Sequence, residues 1–120
     1  MHPLDPLNRE ELDRAVEIIR QQMDLSSDAL FEQVRLKEPQ KALVNAFNSG
    51  SAPEIPREAF AVVLDRSADT VSEVVVSLDS DTMTSCDVIP GVRISFLGEE
   101  SAEFRRMICE HPDFLAALER

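Results

Sequence analysis

The chain has 120 residues, about the size of one ordinary domain. It carries 12 Lys and Arg against 23 Asp and Glu, a formal net charge of −11. With no basic patch to neutralise phosphates, nucleic-acid binding lacks its main energy source and anionic membrane surfaces are disfavoured, while a hydrophobic fraction of 43% is too high for a disordered acidic chain.

The first expected element is a helix from about Arg9 to about Met23. Asn8 is a good N-cap, Glu11 can reach back to its amide, and Leu7 can staple onto Leu12. Leu12, Ala15, Val16, Ile19 and Met23 recur at spacings of three and four and define one buried stripe. Asp24, Ser26, Ser27 and Asp28 break the pattern. A first strand follows over Leu30 to Leu36, where Leu30, Val34 and Leu36 share one parity and Glu32 interrupts it. Glu38-Pro39-Gln40-Lys41 turns the chain, Ala42 to Phe47 suggest a short helical turn, and residues 48–56 are a loop by composition.

Residues Phe60, Val62 and Leu64 alternate with Ala59, Ala61 and Val63, so both faces of a second strand are apolar. After a turn at Ser67 to Thr70, Val74, Val76 and Leu78 form the apolar face of a third. Asp79-Ser80-Asp81 is the next turn, and Thr82 to Val88 suits a pleated surface. Short turns imply an antiparallel meander, because parallel pairs need long crossovers. The fold class is therefore α+β: one amphipathic helix covers an antiparallel sheet of about four strands. Pro90-Gly91 closes the sheet, and C-terminal helices follow. Glu99, Glu100, Glu103, Phe104, Met107 and Ile108 read as one amphipathic helix, its glutamates answering the positive end of the helix dipole. His111-Pro112 interrupts it, and Phe114, Leu115 and Leu118 continue as a shorter one. Their apolar residues have no strands after them to pack on.

The residues that could carry chemistry do not converge. His2 and His111 stand at opposite ends in His-Pro pairs, without metal-ligand spacing. A Cys109–His111 nucleophile pair has poor geometry, because residues i and i+2 of a helix face apart, and Cys109 reads as a small apolar side chain. Asp79 and Asp81 read as turn formers, lacking the Gly and distal Glu of a calcium loop. Met23, Met83 and Met107 sit at core spacings rather than as a copper cluster. There is no nucleotide loop and no nucleophile elbow. The expected catalytic, cofactor-binding and metal residues are none. No apolar run exceeds the six residues Ala59 to Leu64, and residues 1–30 show no secretory pattern. The default expectation is a soluble, cytoplasmic protein with Cys86 and Cys109 reduced.

Four segments carry a resemblance. His2 to Leu7 (HPLDPL) precedes the capped helix. Glu38 to Lys41 (EPQK) follows the first strand. Pro56 to Phe60 (PREAF) with Val62 to Arg66 makes the second strand. Val75 to Leu78, Thr84-Ser85 and Pro90 to Val92 end the meander. In this order and spacing they resemble the N-terminal region of the copper-containing primary amine oxidases. The resemblance implies a first small α+β domain over 1–92 and the truncated opening helices of a second over 93–120. It also implies a family reaction, the oxidative deamination of primary amines to aldehyde, ammonia and hydrogen peroxide, using copper held by three His and topaquinone made from a Tyr. Those groups belong to a C-terminal catalytic domain. This sequence has no Tyr and two His, so no catalytic residue is carried over and the chain on its own is expected not to be an enzyme. Cys86 stands where the family pattern leads us to expect an aromatic, and Asp79-Ser80-Asp81 lacks a Gly.

The expected role is structural packing on a catalytic domain. The alternative is a free-standing interaction module, cystatin-like in outline, that self-associates through Phe104, Met107 and Phe114.

Overall fold

The computed structural model describes residues 2–93 and 98–119, with side chains from Ser101 onward in the second stretch. Helix α1 (Arg9–Gln22) is followed by β1 (Leu30–Lys37), α2 (Lys41–Asn48), β2 (Glu58–Asp65), β3 (Thr70–Ser77), β4 (Thr82–Val88), α3 (Gly98–Glu110) and α4 (Pro112–Leu118). The four strands make one antiparallel sheet in the order β1-β2-β3-β4. The short β2–β3 and β3–β4 turns require this antiparallel pairing, and β1, connected to β2 through α2, joins antiparallel as well.

Helix α1 starts where its cap dictates. Asn8 Oδ1 accepts from the Glu11 amide at 2.9 Å, and Glu11 Oε1 accepts from the Asn8 amide at 3.2 Å. Its inner face buries Ala15, Ile18 and Ile19 against Ala59, Ala61, Val63, Val74, Val76 and Leu78. Ile18 extends the expected stripe, and Leu12, Val16 and Met23 flank it half-buried. Two polar side chains of α1 also grip the β3–β4 turn. Arg14 donates to the Leu78 carbonyl and pairs with Asp81 at 2.9 Å, and Gln22 Oε1 accepts from the Met83 amide at 2.9 Å.

Strand β1 departs from simple alternation. Phe31 pairs with Val63 and Gln33 with Val62, which leaves Glu32 as an inserted residue. The bulge resets the parity, so Phe31, Val34 and Leu36 share the core side, and Leu30 stands opposite Leu64 on the other. A second irregularity sits at Thr84, between the pairs Val75–Ser85 and Val76–Met83. On the outer face of the sheet, Arg35 lies over the Phe60 ring at 4.7 Å, directly across the strands. Cys86 pairs with Val74 on the α1 side of the sheet, yet it is exposed, as is Val88. No aromatic is needed there to fill this chain's core.

Asp24, Asp69 and Asp81 have φ of 50°, 53° and 52°. These three left-handed turn positions thus use aspartate, which tolerates that region better than most residues.

Candidate functional site

One side-chain junction ties together parts of the chain far apart in sequence. Arg57, at the foot of β2, donates from Nε to Glu11 Oε2 at 2.8 Å and from Nη2 to Glu11 Oε1 at 3.0 Å. Its remaining donors reach the carbonyls of Asp5 at 3.0 Å and Pro6 at 3.2 Å. The Arg57 amide donates to Asp79 Oδ2 at 3.0 Å, and its carbonyl accepts from Leu78 at 2.9 Å. The two paired side chains are only 15% and 12% exposed. Hydrogen bonds from Arg57 hold the Glu11 carboxyl below the usual glutamate range, against an opposing effect of burial, and the Asn8 amide adds to the lowering. The same pair raises the Arg57 guanidinium further.

The expected site residues are distributed as follows. His2 is taken up locally: Nδ1 accepts from the Leu4 amide at 3.2 Å, Nε2 meets Asn48 Oδ1 at 2.8 Å, and the ring stands edge-on to Phe47 at 5.3 Å. His111 is the N-cap of α4, with Nδ1 accepting from the Asp113 amide at 3.3 Å and Pro112 beginning the helix. Asp79 and Asp81 are spent on Arg57 and Arg14. Met23 and Met83 pack on the core, whereas Met107 is 60% exposed. Cys109, expected as an apolar contact, is exposed and free. The expectation that Glu99 and Glu100 answer a helix dipole concerns side chains outside the described residues, and Glu103 is exposed. At the opposite end of the sheet, the hydroxyls of Ser26 and Ser67 donate to Asp28, which lowers its carboxyl, the Ser26 bond counting most.

The second feature is the pair α3 and α4. The two helices pack on each other, and neither packs extensively on the sheet among the described residues. Every described side chain from Ala102 to Glu119 is exposed. Phe104, Met107, Phe114, Leu115 and Leu118 range from 38% to 67% exposed. Phe104, Met107, Ile108, His111 and Phe114 line an apolar cleft of about 310 Å³. An amphipathic face of this size is ordinarily covered by something.

Residues 2–89 match the family described as "Copper amine oxidase, N2 domain". The chain belongs to the copper amine oxidase family. It is 35% identical over 118 residues, 98% of its length, to a primary amine oxidase of Arthrobacter sp. (strain P1), of which it spans 17%. It is 30% identical over 120 residues to a primary amine oxidase of Klebsiella aerogenes, covering 99% of this chain and 16% of that one. The crystal structure of a copper-containing benzylamine oxidase from Hansenula polymorpha superposes with a TM-score of 0.82 at 21% identity, over 99% of this chain and 19% of that one, and shows the same fold. The chain thus spans about a sixth of the length of the curated relatives named. The copper that names the family does not fit the donors here. Both nitrogens of His2 are engaged and His111 caps a helix. Among the described residues no group of three or more His, Cys, Asp or Glu side chains is placed to hold a metal ion. Likewise, none of the described helices is long and apolar enough to cross a membrane.

Proposed function

We propose that this chain is a non-catalytic N-terminal unit of a copper amine oxidase, built to pack on a catalytic domain. In this reading residues 1–92 are an α+β domain, and residues 93–120 are the opening helices of a second. No residue of the chain is catalytic, binds a cofactor or holds a metal. The parent reaction is the oxidation of a primary amine to aldehyde, ammonia and hydrogen peroxide, with copper and topaquinone supplied by the catalytic domain. The observation that carries the proposal is the uncovered apolar face of α3 and α4, which the match to much longer relatives spans in full. The separate match to residues 2–89 supports the division into two units. Two exposed free thiols suit a reducing, cytoplasmic setting.

Two measurements test this. The purified chain with copper and methylamine or benzylamine should release no peroxide, and turnover would overturn the non-catalytic assignment. Mixed with a catalytic domain of the family, it should bind, and Phe104→Ser with Phe114→Ser should abolish binding. The same apolar face supports a second reading, self-association of a free-standing module. A concentration-dependent dimer that protects α3 and α4 from exchange would favour it.

A further inference from the structure

The packing role leaves one convergence unused. Two of the segments that carry the family resemblance, His2 to Leu7 and Pro56 to Phe60, meet at Arg57. Residues 2–6 run from α2 to the start of α1. At one end His2 is held by Phe47 and Asn48. At the other, the Asp5 and Pro6 carbonyls accept from Arg57. Between this segment, α2 and the loop before β2 lies a cavity of about 420 Å³, with Pro3, Phe47, Pro53, Ile55 and Leu78 in its wall.

We propose that residues 2–6 are a strap, with His2 and Pro3 in the wall of this cavity, held in place by the ionised Glu11–Arg57 pair, and that neutralising Glu11 releases the strap while the sheet stays folded. The guanidinium divides its donors between Glu11 and the strap carbonyls, so the carboxylate fixes the plane from which the strap bonds are made. A neutral Glu11 leaves a largely buried cation without its counter-charge. The guanidinium then turns toward the exposed carboxylates of Asp5 and Asp79, and the two carbonyls lose their donor. Two prolines leave the strap few amides with which to anchor itself. The charged groups facing Glu11 are Arg57, just before β2, and Arg14 from its own helix, while Asp5 from the strap and Asp79 from the β3–β4 turn act on Arg57. The sheet's core of Ala59, Ala61, Val63, Val74 and Val76 involves none of the strap residues. Because Arg57 holds the Glu11 carboxyl low, release occurs on the acid side of the glutamate range.

The test is amide exchange and ¹⁵N relaxation by NMR on the full chain. Asp5, whose amide bonds the His2 carbonyl, reports the strap, and Val74 reports the sheet. In Glu11→Gln at pH 7, Asp5 should exchange about tenfold faster or more while Val74 stays protected, its exchange following only the global stability of the variant. The wild type should reach the same state on acidification, after correction for intrinsic exchange, and Glu11→Gln should show no such step. His2→Ala should keep the acid step, because the pin at Arg57 does not use the imidazole. Arg57→Lys, which keeps the charge and loses the fork, should loosen the strap as Glu11→Gln does, and it serves if that variant fails to fold. An unchanged Asp5 in both variants overturns the proposal. So does loss of protection at Val74 along with Asp5, or an acid step lost in His2→Ala and kept in Glu11→Gln.

Discussion

Glu11 serves two structures at once. Its Oε1 completes the helix cap with Asn8, and both its oxygens hold Arg57. Removing Arg57 leaves the carboxylate in a site that is only 12% exposed. Arg57→Ala should therefore cost about 3 kcal/mol in a urea titration, in the range for a buried pair broken on one side. The pH dependence follows from the same contact. The Glu11 carboxyl is lowered in the folded state, so its contribution is complete above the unfolded value of about 4.3 and is lost as pH falls through the lowered folded one. Stability should drop on that acid limb, and Glu11→Gln should flatten it. A different residue-scale test isolates the backbone. Asp69 sits at φ 53° in the β2–β3 turn. Asp69→Gly should be tolerated, and Asp69→Val should lower stability by about 1–2 kcal/mol, as read from the denaturation midpoint. The cap was legible because its two residues stand three apart. The Arg57 junction was not, because the partners of its guanidinium lie 46 to 52 positions away in the chain.

At the scale of elements, periodicity and composition together located the helices and strands of the described residues, and where the parity of β1 misled, the cause was a bulge. Leu30, Val34 and Leu36 share a parity in the sequence, but Glu32 is extruded and Phe31 replaces Leu30 on the core side. Deleting Glu32 should preserve cooperative thermal unfolding, since Phe31, Val34 and Leu36 then alternate without interruption. Deleting Arg35 should abolish it, because Leu36 turns outward and Lys37 inward. Circular dichroism melts of the two deletions check this. The three-and-four spacing of the α1 stripe leaves out Ile18, which is 7% exposed. Its neighbour Ile19 is fully buried, and Ile19→Ala should cost about 2–5 kcal/mol by the same melts.

The whole molecule is long for its size. Its radius of gyration is 19.4 Å and its extents are 70 × 29 × 27 Å, whereas a compact chain of this length has a radius of about 14 Å. The difference reflects a helix pair that does not fold back onto the sheet. Substituting Met107→Ser and Leu118→Ser should leave the unfolding of the sheet within about 0.5 kcal/mol of wild type, because neither side chain reaches the core. The same substitutions should weaken association with any partner of α3 and α4, measured by light scattering or calorimetry.

Local pattern determined the cap, the helix stripe, the meander and the α+β class, because each is written in residues close together along the chain. The ordered set of short segments was enough to indicate the copper amine oxidase family. Only the tertiary structure decided that His2 and Arg57 secure the same lead-in segment, that Cys86 faces solvent, and that the last two helices present their apolar face outward. Those facts depend on pairings across tens of residues, on one extruded glutamate, and on which surface lies against which. A linear pattern of polar and apolar residues carries none of that.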